Sequence, residues 1–178
     1  MILGLSGRRI DAADAEQVRF PLQNVESVRL AVRRLLVGQK VTWLVSSAAC
    51  GADLIALSEA ETLGIARCVV LPFSREKFRE SSVVDRPGEW GEVYDRVMDE
   101  VEASGGVVIV SANGTEDPFA IASDAILENA MAFGKERNEA FGAVMVWDGE
   151  VRDKPDYTSQ FRIDARERGL AVFDVRTL

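Results

Sequence analysis

Short apolar runs alternate along the chain with longer stretches in which apolar residues recur every three or four positions. The short runs have the length of strands, and they are almost continuously apolar, which is typical of parallel strands covered on both faces. The longer stretches have the period of amphipathic helices. The pattern predicts six strands, at Met1–Leu5, Val41–Ser46, Ala66–Leu71, Gly106–Val110, Ala143–Trp147 and Ala171–Val175.

Five helical stripes lie between and after these strands, within residues 25–36, 54–63, 90–101, 119–133 and 157–165. Strands that alternate with helices predict a parallel sheet with helices packed on its faces. We therefore expect an α/β fold: a single three-layer Rossmann-like domain over residues 1–178, with a mainly parallel sheet of about six strands.

Charge narrows the range of partners. The chain has 21 basic and 29 acidic residues and a net charge of −8, so it repels a phosphate backbone and we expect no nucleic-acid partner. No apolar stretch approaches the roughly 20 residues that cross a bilayer, so no membrane partner is expected. The first residues lack the basic and apolar regions of a signal peptide, which predicts a cytoplasmic protein.

Histidine is absent, which excludes Ser-His-Asp and Cys-His catalysis and zinc sites with histidine ligands. Cys50 and Cys68 form no CxxC pair, and the acidic residues show no EF-hand spacing. We therefore predict no metal and no cofactor. Cys50 without a histidine partner is a poor nucleophile, and a packed side chain is the favoured interpretation.

The loops that follow the strands are the candidate binding elements, because ligands of open α/β sheets bind at the carboxyl ends of strands. Ser6-Gly7-Arg8 follows the first strand, and Arg8 could neutralise a phosphate. Small residues at 47–52 follow the second strand and precede a helix. There the amides of Ala49, Cys50 and Gly51 are expected to hold a phosphate. Each loop could instead be an ordinary tight turn.

Other candidates complete the predicted pocket. Asp53, in the first helical turn, could accept a ribose hydroxyl, and Phe73 with Ser82 could line the side of a base. Ser74 is expected to cap a short helix. The last site residues are Asp148, after the fifth strand, and Thr158, which could cap the final helix as Ser159 could. For each of these residues packing or capping alone is the alternative explanation.

Together these motifs resemble the SLOG superfamily of Rossmann-like domains, which is related to DprA and to the LOG phosphoribohydrolases. The resemblance rests on Ser6-Gly7-Arg8, the small-residue loop ending in Cys50-Gly51-Ala52-Asp53, Leu71-Pro72-Phe73 and Trp147-Asp148-Gly149. It implies a pocket for a nucleotide-derived ligand, which some members sense and others cleave. Residues 154–160 lack the Gly-rich PGGxGTxxE loop of the enzymatic members, which argues against LOG-type hydrolysis.

We predict that the chain binds a nucleotide or nucleotide-derived ligand, as a sensor domain in bacterial signalling or defence. The alternatives are a phosphoribohydrolase or N-glycosidase acting on a nucleoside monophosphate or NAD-like substrate, and an interaction scaffold that binds no ligand. A homodimer is a further expectation, with the apolar stripe of residues 90–101 as its interface if that stripe is exposed. The predicted ligand-binding residues are Ser6, Gly7, Arg8, Ser47, Ala49, Cys50, Gly51, Asp53, Phe73, Ser82, Asp148 and Thr158.

Overall fold

The sheet has six strands, and every described pairing between them is parallel. A computed structural model describes residues 1–110, 117–152 and 155–178. The strand order is β4-β3-β2-β1-β5-β6. The strands are β1 (Ile2–Gly7), β2 (Trp43–Ser46), β3 (Ala66–Leu71), β4 (Val107–Ile109), β5 (Phe141–Trp147) and β6 (Ala171–Arg176).

In the residues that the structure describes, six helices follow the strands or connect them. A 3-10 turn, Leu22–Asn24, precedes the first. The five apolar stripes all fall on helices, and the short helix expected after Ser74 is the sixth. The helices are α1 (Val25–Gly38), α2 (Ala52–Thr62), α3 (Arg75–Ser82), α4 (Trp90–Ala103), α5 (Pro118–Arg137) and α6 (Tyr157–Glu167).

Two hydrophobic cores lie on opposite faces of the sheet and make the fold a three-layer one. On one face β1, β2 and β3 pack against the apolar sides of α1, α2 and α4. On the other face α5 and α6 pack against the sheet, through residues such as Ile126 and Phe161. The parallel, three-layer α/β architecture predicted from the apolar pattern is confirmed.

Helix α4 contributes its apolar side to the first of these cores. Its apolar stripe is buried, with Tyr94, Val97 and Met98 completely covered. The stripe had been a candidate dimer interface only if it were exposed. Because these side chains pack inside the chain's own core, α4 provides no apolar surface of this kind for a second copy.

Candidate functional site

The order of the strands reverses between β1 and β5, since β2, β3 and β4 lie on one side of β1 while β5 and β6 lie on the other. In a doubly wound sheet the loops at such a point separate and leave a crevice at the carboxyl ends of the strands. Here the crevice is a cavity of about 700 Å³. Its size is within the usual range of small-molecule sites.

The carboxyl end of β1 forms the floor of the cavity through Ser6 and Gly7. Position 7 requires a glycine because two other parts of the chain approach its backbone closely. A β-carbon at this position would lie 2.2 Å from the β-carbon of Ala52 and 2.9 Å from the carbonyl oxygen of Val146. The absence of a side chain therefore lets the start of α2 pack directly on the end of β1.

The β2–α2 loop, residues 47–51, differs from the open phosphate cradle that its small residues predicted. Two of the three amides that were expected to hold a phosphate are used within the chain: Ala49 donates to the Asp53 carboxylate at 3.3 Å, and Cys50 donates to the carbonyl of Ser82 at 3.0 Å. The amide of Ala52 donates to the carbonyl of Arg8 at 3.2 Å. The segment after β1 and the end of α3 therefore supply the acceptors that a bound phosphate was expected to supply.

Gly51 explains why this loop lies so close to the segment after β1. Its φ of 94° is in the region that favours glycine. A β-carbon there would lie 2.9 Å from the nitrogen of Ile10 and 3.0 Å from the carbonyl oxygen of Arg8. Gly51 is thus a packing residue at the back of the loop, and it does not line the cavity.

Asp53, in the first turn of α2, lines the cavity and is only 4% exposed. One carboxylate oxygen accepts from the Ser47 hydroxyl and from the amide of Ala49. The other oxygen, Oδ1, is buried and has no hydrogen-bond partner among the described residues. Burial raises the pKa of Asp53 to about 6, although the bonds from Ser47 and Ala49, the nearby Ser46 hydroxyl and the charge of Arg9 all act to lower it.

Arg8 is held by carboxylates, where a phosphate had been expected. Its Nε donates to Asp148 at 3.0 Å, and its two terminal nitrogens donate to Asp156 at 2.5 and 3.0 Å. Arg19 donates to the second oxygen of Asp148 at 2.5 Å. The side chains of these four residues are at most 8% exposed. Two arginines and two aspartates therefore form a neutral, buried network beside the cavity.

Asp156, and not Thr158 or Ser159, caps helix α6. Its Oδ1 accepts from the amide of Ser159 at 3.1 Å, and its Oδ2 accepts from the amide of Arg152 at 2.7 Å. The hydroxyl of Thr158 instead lies 3.5 Å from that of Ser6 across the cavity floor. Asp156 lies immediately before α6, whereas Thr158 and Ser159 already lie in its first turn, so the aspartate is the residue whose side chain reaches the first free amides.

Aromatic side chains form one wall of the cavity, but Phe73 is not among them. The lining rings belong to Phe78, Phe119 and Tyr157. The rings of Phe119 and Tyr157 lie 5.8 Å apart at 35°. Phe73 packs edge-on against the outer side of Phe119 at 5.4 Å, so it supports this wall without reaching the cavity.

Two arginines on the other side of the cavity share a single carboxylate. Arg9 donates to both oxygens of Asp85, at 2.9 and 2.8 Å. The Nε of Arg86 lies 3.3 Å from the same carboxylate, but it makes no hydrogen bond and is buried. Three buried side-chain nitrogen or oxygen atoms lack a partner in the described residues, and two of them, Asp53 Oδ1 and Arg86 Nε, belong to residues that line this cavity.

The structure brings most of the predicted residues to one place. Those that line the cavity are Ser6, Gly7, Arg8, Ser47, Ala49, Asp53, Ser82 and Thr158. Those that do not are Cys50, Gly51, Phe73 and Asp148. Cys50 is fully buried, and burial raises the pKa of its thiol to about 12, as expected of a packed side chain.

The sequence reasoning missed Arg86, Phe119 and Tyr157. The two aromatic residues lie at the starts of helices that follow strands of a parallel sheet. Such positions face the carboxyl edge of the sheet, so the sequence could have predicted that both residues line the site. Arg86 lies in a polar loop with no such regularity. Among the described residues no group of three or more cysteine, aspartate or glutamate side chains is placed to hold a metal ion.

Comparison with solved structures supports the fold alone. No protein-family model and no curated protein matches the sequence. Among solved structures, the chain is similar to the X-ray structure of DNA processing protein A (DprA) from Streptococcus pneumoniae, with a TM-score of 0.53 and 18% identity. The chain has a DprA-like Rossmann fold.

This similarity covers 97% of the chain, but the chain spans only about half (49%) of the DprA structure. It confirms the Rossmann-like fold that the resemblance to SLOG domains implied. No helix in the parts of the chain described above is long and apolar enough to cross a membrane.

Proposed function

We propose that the chain binds a nucleotide or nucleotide-derived ligand in the switch-point cavity, with a hydroxyl of the ligand donating to Asp53. The observation that carries the proposal is the Asp53 carboxylate, which lines a cavity of about 700 Å³ and has one oxygen, Oδ1, without a hydrogen-bond partner among the described residues. Leaving a buried acceptor unsatisfied costs about 1–3 kcal/mol, and more when the group is charged. A ligand hydroxyl at this oxygen would remove that cost.

The other walls support the same class of ligand. A ribose offers vicinal hydroxyls to the Asp53 side, where Ser6 and Thr158 add two further hydroxyls. A base is a flat apolar ring, and the rings of Phe119 and Tyr157 provide a surface on which such a ring can pack. The hydroxyl of Tyr157 donates to Asp117 at 2.7 Å, which ties this wall to the start of α5.

The test is thermal unfolding of the protein with AMP, NAD, ADP-ribose and cyclic nucleotides, since a ligand that binds only the folded state raises the melting temperature. At least one member should stabilise the wild type, and its 2′,3′-dideoxy analogue should stabilise less. Asp53→Asn should weaken binding about tenfold or more, because a neutral amide replaces the anionic acceptor.

Asp99→Asn is the matched control, because Asp99 lies in α4 outside the cavity and forms an ion pair with Arg75. It should bind as the wild type does. Each ligand is tested at about 100 μM, which is about 100 times a Kd of 1 μM and should stabilise a folded protein that binds it. If no ligand of the panel shifts the melting temperature, the proposal fails, and an interaction scaffold that binds no ligand is the remaining alternative.

A second function, cleavage of the N-glycosidic bond of the bound ligand, is favoured by one observation. Asp53 combines contact with the cavity and a pKa of about 6, which suits a group that exchanges protons near neutral pH. Chromatography of the incubated ligand distinguishes the two functions. Release of free base by the wild type but not by Asp53→Asn would make the protein an N-glycosidase, and an unchanged ligand would leave it a binding domain.

A further inference from the structure

The ends of helices α2 and α6 are the places where a Rossmann-like domain would ordinarily accept an anion, and the chain fills both with its own groups. At α2 the carbonyls of Arg8 and Ser82 accept from the loop amides. At α6 the Asp156 carboxylate accepts from two amides and from the guanidinium of Arg8. A phosphate at either end would meet an oxygen already in place.

Displacing Asp156 would carry a large cost. Its carboxylate is the partner of a guanidinium whose side chain is only 3% exposed. Removing one member of a buried ion pair costs about 3–5 kcal/mol, because the other charge is left without compensation. A ligand phosphate that took this place would also have to be desolvated. The α6 end is therefore closed to anions.

The Arg9–Arg86 pair, defined above by its shared partner Asp85, is different. Two guanidinium groups face one carboxylate, so the cluster keeps a net positive charge. Arg86 has a buried Nε without a hydrogen-bond acceptor among the described residues. Their side chains are 32% and 23% exposed, so both can adjust to a ligand at lower cost than Arg8 can.

We propose that the phosphate of the ligand binds at the Arg9–Arg86 pair, through the guanidinium groups that line the cavity, and not at the amide-bearing ends of α2 and α6. This inference rests on the proposed function for the rest of the ligand. It gives the cavity a polarity: the uncharged, hydroxyl-bearing part lies against Asp53, and the anionic part lies against the two arginines. The ligand class is then a nucleoside carrying at least one phosphate.

The experiment compares four nucleosides (adenosine, guanosine, cytidine and uridine) with their 5′-monophosphates, by calorimetry at constant ionic strength. For the pair that binds, the wild type should prefer the monophosphate about tenfold or more, the effect of one charge-assisted contact. Arg86→Met should remove that preference and leave the affinity for the nucleoside unchanged. Arg86→Lys should keep part of it, because the charge remains while the Nε donor is lost.

Arg96→Met is the matched control, because Arg96 lies on α4 outside the cavity. It should keep the full preference. Asp156→Ser tests the competing location: serine still caps a helix, but it removes the carboxylate from Arg8. A preference for the monophosphate that survives Arg86→Met and changes instead in Asp156→Ser would place the phosphate at α6 and overturn the inference. Equal wild-type affinity for nucleoside and monophosphate would also overturn it.

Inorganic phosphate separates this inference from the proposed function. Phosphate should raise the melting temperature of the wild type more than sodium chloride of equal ionic strength does, and Arg86→Met should abolish the difference. If this holds while no nucleoside or nucleotide binds, the anion site stands and the nucleotide proposal fails. If nucleotides bind but neither they nor phosphate respond to Arg86→Met, the anion site is wrong and the nucleotide proposal stands.

Discussion

Helices α2 and α6 both begin beside the cavity, and each has an aspartate at its start, yet the two carboxylates are in opposite situations. Asp156 accepts from two nitrogens of Arg8 and from two backbone amides. Asp53 accepts through one oxygen and leaves the other without a partner in the described residues. The first carboxylate is an internal structural anchor, whereas the second keeps one oxygen without a partner in that part of the chain.

The difference between the two aspartates is due to one arginine. Burial opposes ionisation of Asp156, but the bonds from Arg8 and from the amides of Arg152 and Ser159 outweigh it and lower its pKa. Burial also opposes ionisation of Asp53, and without a paired guanidinium the pKa rises to about 6. A helix N-terminus stabilises a carboxylate only modestly, so the neighbouring side chains decide its role.

The largest effect is expected from Arg8→Met. The substitution keeps much of the apolar stem but leaves Asp148 and Asp156 buried with less positive charge. We expect a loss of about 3–5 kcal/mol in the free energy of unfolding, measured by urea denaturation. Arg79→Met is the control, because Arg79 forms a half-exposed pair with Asp95 and should cost less than about 1 kcal/mol. Similar losses in the two variants would refute the idea of a buried anchor.

The two aspartates should also respond oppositely to pH. The folded-state pKa of Asp53 is raised, so the folded chain binds the extra proton and the wild type loses stability relative to Asp53→Asn as pH rises from about 4 to 7. A shift of the pKa of Asp53 from 3.8 to about 6 corresponds to a change of roughly 3 kcal/mol at most in the free energy of unfolding.

For Asp156 the sign is reversed. Its folded-state pKa is lowered, so its contribution is present above the ordinary pKa of 3.8 and is lost as pH falls through the folded value. Asp156→Asn should therefore be more destabilising at pH 7 than at pH 3. Urea denaturation of the wild type and both variants across this range measures the two trends, and parallel trends would show that the two sites are equivalent.

Gly7→Ala tests the close contact that places Asp53 at the cavity. An added methyl group would lie 2.2 Å from the β-carbon of Ala52, so the start of α2 must move. We expect a loss of about 1–3 kcal/mol in unfolding free energy, together with weaker ligand binding. Gly38→Ala, where a β-carbon meets nothing within 4 Å, is the matched control and should be neutral or slightly stabilising. Equal melting temperatures for Gly7→Ala and the wild type would contradict the close packing.

The smallest effect is expected from Ser47→Ala. The Ser47 hydroxyl donates to the ionised Asp53 carboxylate and lowers its pKa. Without this donor the pKa of Asp53 should rise further, and the stability at pH 7 should fall by about 1 kcal/mol. Carbon-13 NMR titration of the carboxyl groups measures the shift directly. A downward shift of the Asp53 titration would refute this arrangement.

The fold was predictable because its signal is local. Nearly continuous apolar runs such as Ala66–Leu71 are typical of parallel strands covered on both faces, and the observed β3 has the same bounds. Eight of the twelve predicted site residues also reach the cavity, since loops at the carboxyl ends of parallel strands converge. Arg86 could not be found in this way, because it lies in a polar loop after α3, and Arg9, which shares the Asp85 carboxylate with it, is far away in sequence.

The sequence by itself determined a parallel three-layer sheet, the edge of that sheet where loops converge, and the small residues that let β1 and α2 meet. Only the tertiary structure decided which polar groups are already used. Arg8 and Asp156 are 148 positions apart, and they satisfy each other when the loops close. Hydrogen-bonding capacity is local to a residue, but whether it is satisfied depends on distant partners. Among the described residues that line the cavity, Asp53 and Arg86 are the ones with a buried atom left unpaired.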